Sequence, residues 1–240
     1  MGASEPSLNP YVKNGLLAMW DGEWNAGWGV HDSNATTWLE LVNNIASDTL
    51  PSTLSFASDH LIKGTSNLYL INDASSLFSG VTAVTFEICN SLSVASANNN
   101  GAHFVYAEPL KLAFGGFRNT TSSGSFQGPM MYRDKNITNG VANGTAWNGV
   151  KTFSVASKAF VFTNLSASGA RALEAYFNGT KLTGRYSAYT STTTYNNYIR
   201  IASATSGQAE IYSIRIYGRA LSASEIAANS AVDAQRFSIT

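Results

Sequence analysis

The sequence predicts an all-β fold, a two-sheet antiparallel jelly-roll sandwich closed by one short C-terminal helix. Three observations carry this expectation. Short runs rich in β-branched and aromatic residues recur along the whole chain, broken by Gly, Asn and Ser. Asn-Gly, the dipeptide that tolerates positive φ in two-residue hairpin turns, stands at 14–15, 139–140, 143–144, 148–149 and 178–179. A clear helix-start signal occurs in one place, near the C-terminus. No period of roughly 20–50 residues recurs, so solenoids and propellers are excluded.

The elements follow in chain order. Residues 1–13 are expected to form an extended N-terminal arm that joins an upstream segment or docks on a partner, and 14–240 one domain. Candidate strands lie at 15–21, 53–57, 67–71, 81–90, 102–107, 110–117, 128–133, 151–155, 158–164, 172–177, 197–202 and 209–217. A single helical turn is expected within 73–78. In the last strand Ile211, Tyr212, Ser213, Ile214, Arg215, Ile216 and Tyr217 alternate loosely between large apolar and polar, the pattern of a half-buried strand. Gly218 ends the run. Ser222 and Glu225 then have the S-x-x-E spacing of a capping box, in which each residue's side chain accepts from the other's backbone N–H. An Ala-rich helix over 223–234 should follow.

Four segments, in order, give these elements a family likeness. Residues 15–22 read GLLAMWDG, 37–41 TWLEL, 56–61 FASDHL, and 175–182 AYFNGTKL. The chain then closes on Arg219, Leu221, Ser222, Glu225 and Ile226, an R-x-L-S-x-x-E-I turn into a helix. Together they resemble laminin-G-like domains of the concanavalin A-like lectin/glucanase superfamily, over about residues 14–237. The resemblance implies a jelly roll and carbohydrate recognition, and fold-level likeness alone does not fix an activity.

Composition narrows the partners. Charged residues are 12% of the 240, and 15 basic side chains balance 15 acidic ones. With no basic cluster to neutralise phosphates, nucleic acid is not an expected partner. No apolar run approaches the roughly 18 residues of a spanning helix, so no membrane insertion is expected. Cys89 is the single cysteine, which excludes an intrachain disulfide and suits a small core residue. The first residues lack the charged and apolar regions of a secretory leader. These features favour a phage virion as the location, with a secreted or bacterial cell-surface protein whose leader has been removed as the alternative.

Two constellations stand out as ligand candidates. Residues 20–32, WDGEWNAGWGVHD, concentrate three tryptophans, three acids and a histidine. Trp24 and Trp28 are candidate stacking platforms for sugar rings, with His31 and Asp32 as hydroxyl partners. The alternative is structural: Trp20 in the core, Trp24 or Trp28 packing the loop, and the polar residues capping turns. The second constellation is Tyr186, Tyr189 and Tyr195, with Tyr198, in a Ser/Thr-rich stretch suited to adaptable recognition, or forming an ordinary loop.

The resemblance also implies a calcium ion held by loop carboxylates, for which Asp21, Asp32, Asp59 and Asp73 are available. Tyr212 and Ser213, however, stand where the family commonly carries an acid pair, so no metal or other cofactor is expected. His31, His60 and His103 have no zinc spacing. The glucanase motif E-x-D-x-x-E is missing, and Glu87, Glu108 and Glu174 have no partner acid at its spacing. No Ser-His-Asp set can be assigned. The chain is therefore expected not to be an enzyme.

These readings combine into a recognition or adhesion module, glycan-binding, displayed as a decoration, fibre or tail protein. Its partners would be a glycan or host surface receptor, with other virion subunits bound through the N-terminal arm. A purely architectural virion protein and a glycoside hydrolase are the competing readings.

Overall fold

The computed structural model describes residues 9–64, 66–93, 105–110, 112–120, 125–132, 155–163, 165, 172–181, 197–201 and 208–239. Its strands are β1 (Leu16–Asp21), β2 (Leu39–Glu40), β3 (Ile45–Ala46), β4 (Leu54–Phe56), β5 (Leu61–Lys63), β6 (Leu68–Ile71), β7 (Val84–Ser93) and β8 (Val105–Ala107). They continue as β9 (Leu112–Thr120), β10 (Ser125–Tyr132), β11 (Ala156–Thr163), β12 (Ala172–Phe177), β13 (Thr180–Lys181), β14 (Ile199–Ile201) and β15 (Gln208–Tyr217). A helix, α1 (Ala223–Arg236), ends the chain.

Two antiparallel sheets stack as a sandwich. The larger runs β13-β12-β11-β7-β15-β5-β4, with β1 also paired to β15; the smaller runs β10-β9-β8-β14-β6. β2 and β3 form a separate hairpin. Side chains alternate across each strand, so every second residue of β7, β11 and β15 enters the space between the sheets. Phe86, Ile88, Phe160, Phe162, Ile214 and Ile216 supply the larger sheet's share of one core cluster. Leu68, Leu70, Val105, Ala107, Ile199 and Ile201 meet them from the smaller sheet. The all-β sandwich with one C-terminal helix is thus observed.

The last strand departs from its predicted half-burial in an instructive way. Ile211 pairs with Asn90 but Ser213 with Cys89, so Tyr212 is an extra residue at a bulge. The bulge resets the alternation: Ile214 and Ile216 point into the core, while Ser213, Arg215 and Tyr217 form the other face. That face is buried too, because α1 covers it; Arg215 and Tyr217 are both 0% exposed. Ala159, Val161, Tyr176, Tyr217, Leu221 and Ile226 make the apolar part of the helix–sheet contact.

Local signals place the helix. Ser222 Oγ accepts from the Glu225 N–H at 3.3 Å, and Glu225 Oε2 accepts from the Ser222 N–H at 2.8 Å, the expected capping box. The Arg219 guanidinium bonds the same Glu225 carboxylate and, with the cap, holds it well below the usual range at about 2. Asn178 and Gly179 adopt φ of 44° and 75° at the β12–β13 turn, as the dipeptide predicts. A Cβ at Gly179 would sit 3.2 Å from the Ala227 backbone, so the turn also fits closely under α1.

The helix extends two residues past its predicted end, to Arg236. The predicted turn near 73–78 is present as a short 3-10 segment, Ser76–Phe78. Residues 9–13 lie against α1: the Val12 N–H donates to Asn229 Oδ1 and the buried Tyr11 hydroxyl to Asp233 Oδ1, each at 2.9 Å.

Candidate functional site

The loop after β1 is built on one buried carboxylate. Asp21 Oδ1 accepts from the Glu23 and Trp24 N–H groups at 3.0 and 3.1 Å, turning the chain as β1 ends. Arg236, from the end of α1, reaches back with a two-pronged bond to Asp21, at 2.7 and 3.0 Å. Burial pushes the Asp21 carboxyl upward and the Arg236 charge opposes that push. Asn25, also buried, staples the loop shut. Its Oδ1 accepts from the Asp32 N–H at 2.8 Å and its Nδ2 donates to the Asp32 carbonyl at 2.7 Å. Between these points, the Val30 N–H donates to the Gly27 carbonyl, so Trp28 sits at the tip of a small reversed turn.

Trp24 and Trp28 are half-buried neighbours, ring centroids 5.6 Å apart and planes tilted by 50°. Arg236 lies over Trp24, its guanidinium carbon 3.9 Å from the ring centroid. Trp28 Nε1 donates to the Leu41 carbonyl at 2.8 Å. Both rings pack on the small cluster of Tyr11, Met19 and Leu41. His31 and Asp32 are exposed beside them; His31 Nδ1 lies 3.2 Å from the Gly22 carbonyl, and Asp32 Oδ1 accepts from the Asn34 N–H. The structure therefore brings Trp24, Trp28, His31 and Asp32 onto one braced loop. Trp20, by contrast, is fully buried core.

Tyr186, Tyr189 and Tyr195 lie outside the described residues. Tyr198 makes an edge-on contact with Tyr69, centroids 5.0 Å apart at 89°. The four acids available for calcium are dispersed in local roles: Asp21 holds Arg236, Asp32 and Asp73 cap turns, and Asp59 pairs with His60 at 2.7 Å. Among the described residues, no three His, Cys, Asp or Glu side chains are grouped to hold a metal.

Sequence reading missed the polar network under α1. Arg215 donates to Glu87 at 2.7 Å and, through both terminal nitrogens, to Asp233 at 2.8 and 2.7 Å. Asp233 also accepts from Ser157 and Tyr11, and Asn229 bridges Glu87 to the Tyr217 hydroxyl. Burial pushes the Glu87 carboxyl upward against the Arg215 charge. Glu87 is 2% exposed and serves as an ion-pair partner. A second cluster joins Ser91 and Tyr212, both donors to Glu210 Oε2 at 2.8 and 3.0 Å. Burial, helped by that bond, pushes the Tyr212 hydroxyl far above its usual range, which keeps it a protonated donor.

No protein-family model matches the sequence, and no curated protein does. Solved structures do match in shape. One is a Trypanosoma rangeli sialidase in complex with sialic acid, at TM-score 0.57 and 12% identity over 92% of this chain and 33% of the sialidase. Another is domain 4 of AbnA, a GH43 extracellular arabinanase from Geobacillus stearothermophilus, in complex with arabinotriose. It matches at TM-score 0.54 and 14% identity, over 90% of this chain and 98% of that domain. A third is the binding domain of botulinum neurotoxin DC in complex with rat synaptotagmin II, at TM-score 0.53 and 10% identity.

At such identities the likeness shows the fold, a β-sandwich shared with glycan-processing and receptor-binding chains. This chain spans about a third of the sialidase it matches. The comparisons overturn the expectation that the chain is not an enzyme. The matching chains are part of a sialidase and one domain of an arabinanase, so the missing acid motif of one superfamily branch is no ground for ruling out catalysis.

Proposed function

We propose that the chain is a carbohydrate-recognition β-sandwich of the laminin-G-like, concanavalin A-like kind, with the 21–32 loop as its glycan contact. The observation that carries this reading is the half-exposed Trp24–Trp28 pair beside exposed His31 and Asp32, on a loop braced by Asp21 and Asn25. Such a loop presents an apolar face with a few placed polar groups and loses little freedom on binding. Likeness to chains solved with sialic acid and with arabinotriose supports a glycan ligand. Display on a phage virion or cell surface, with a host glycan as partner, belongs to the same proposal.

The test is a glycan array on the full chain, followed by calorimetric titration of the hits. Trp28→Ala should abolish binding while the protein stays folded. Product analysis of the same mixtures reports whether a bound glycan is cleaved. An array without hits, or hits insensitive to Trp28→Ala, refutes the assignment of this loop.

A further inference from the structure

We infer that the 21–32 loop takes neutral oligosaccharides and rejects carboxylated ones, the sialic acids and uronates. The inference rests on the reading of that loop as a glycan site and adds its charge chemistry. A sugar carboxylate is best matched by a cation with N–H donors turned toward the ligand, above all an Arg fork. The cation packed on this loop is Arg236, and all its terminal donors are committed. Nη1 gives one bond to the Tyr11 hydroxyl at 2.9 Å and one to Asp21 Oδ2 at 2.7 Å. Nη2 gives one to Asp21 Oδ1 at 3.0 Å and one to Glu23 Oε2 at 2.7 Å. A face of the guanidinium also lies over Trp24, at 3.9 Å.

The local charge points the same way. Among the described residues of the loop and its brace, Asp21, Glu23 and Asp32 set three carboxylates against the Arg236 guanidinium, a formal balance of −2 with His31 neutral. The Glu23 side chain is 46% exposed and Asp32 is exposed, so two carboxylates of the tryptophan-bearing loop face solvent. A ligand carboxylate there meets like charge within about one Debye length, roughly 8 Å in physiological salt. A neutral sugar meets what the loop does offer. Indole faces suit its C–H surfaces, and carboxylate oxygens accept from its hydroxyls. Among the matching structures, this chemistry sides with arabinotriose rather than sialic acid.

The experiment titrates the full chain with neutral arabino-, gluco- and galacto-oligosaccharides, and in parallel with sialyllactose and oligogalacturonate. Neutral ligands should bind at least about tenfold tighter than acidic ones, as expected for like-charge exclusion at a partly exposed site. The gap should narrow as salt rises. It should also narrow in Glu23→Gln, which removes one repelling charge and frees an Arg236 donor. Acidic ligands bound as tightly as neutral ones, with that binding lost in Trp28→Ala, overturn the preference and leave the glycan site standing. Binding of neither class overturns the site reading and the preference together.

Discussion

Arg215 and Asp233 form a two-pronged ion pair, 2.8 and 2.7 Å, in which neither side chain is exposed to solvent. The pair joins the central strand β15 to α1, and it explains why a charged residue sits inside the outer face of the sheet. Two ions removed from water are tolerable only when every donor and acceptor is matched. Here Glu87 and Ser213 accept further bonds from Arg215, and Ser157 and Tyr11 donate to Asp233.

Breaking that pair from one side should therefore be costly. Asp233→Ala leaves the Arg215 charge facing Glu87 alone and should destabilise the protein by about 3–5 kcal/mol. Chemical denaturation of both proteins checks it. A loss below about 1 kcal/mol would mean water reaches the site.

Tyr11 ties residues 9–13 to this network, with its ring 4.0 Å from the Arg215 guanidinium and its hydroxyl between Asp233 and Arg236. Tyr11→Phe keeps the ring and removes the hydroxyl, so it should cost about 1–3 kcal/mol, the range for leaving charged partners unmatched. Tyr11→Ala should cost more. No loss in Tyr11→Phe would show that the hydroxyl contributes nothing, and equal losses in the two variants would show that the ring contributes nothing beyond it.

How much of this was legible depended on range. The capping box of Ser222 and Glu225 spans three residues, and the β15 pattern is contiguous, so both could be read directly. The bulge at Tyr212 could not, because it is defined by the register of the neighbouring strand. Glu87 looked solitary since its partner Arg215 lies 128 residues away. The density of tryptophan and acid in the 20–32 segment was plain. What covers Trp24 was not, because Arg236 comes from 215 residues beyond Asp21.

Lys158 should make stability depend on pH. It pairs across strands with Ile88 and so shares the inner face of the sheet, fully buried, with Asn90 as an acceptor for its ammonium. Burial lowers its pKa from 10.5 to about 7. The unfolded chain then holds a proton that the folded chain has lost between pH 7 and about 10, so folding stability rises with pH across that window. Below pH 7 both states carry the proton and the cost of burying it is complete. Lys158→Met removes the titration. The stability of wild type relative to Lys158→Met should thus rise by a few kcal/mol, in order of magnitude, from pH 7 to about 10. Parallel curves across that range would refute the assignment.

The two loop tryptophans should separate stability from binding. Trp24 carries Arg236 on its ring and packs on the Tyr11, Met19 and Leu41 cluster. Trp24→Ala removes a partly buried cation–π contact and apolar burial together, and should cost about 2–3 kcal/mol of stability. Trp28 sits at the tip of the turn, shares the packing on that cluster, and gives up this contact and one hydrogen bond, to Leu41, when truncated. Its loss should cost about 1–2 kcal/mol, less than that of Trp24. For a neutral oligosaccharide the order should reverse, with Trp28→Ala removing most of the binding because that ring stands furthest from the bracing by Arg236. Denaturation midpoints and glycan affinities for the same two variants decide it. If Trp28→Ala unfolds the protein at least as readily as Trp24→Ala and wild type binds no glycan, both rings are packing residues and the loop is a brace for the end of α1.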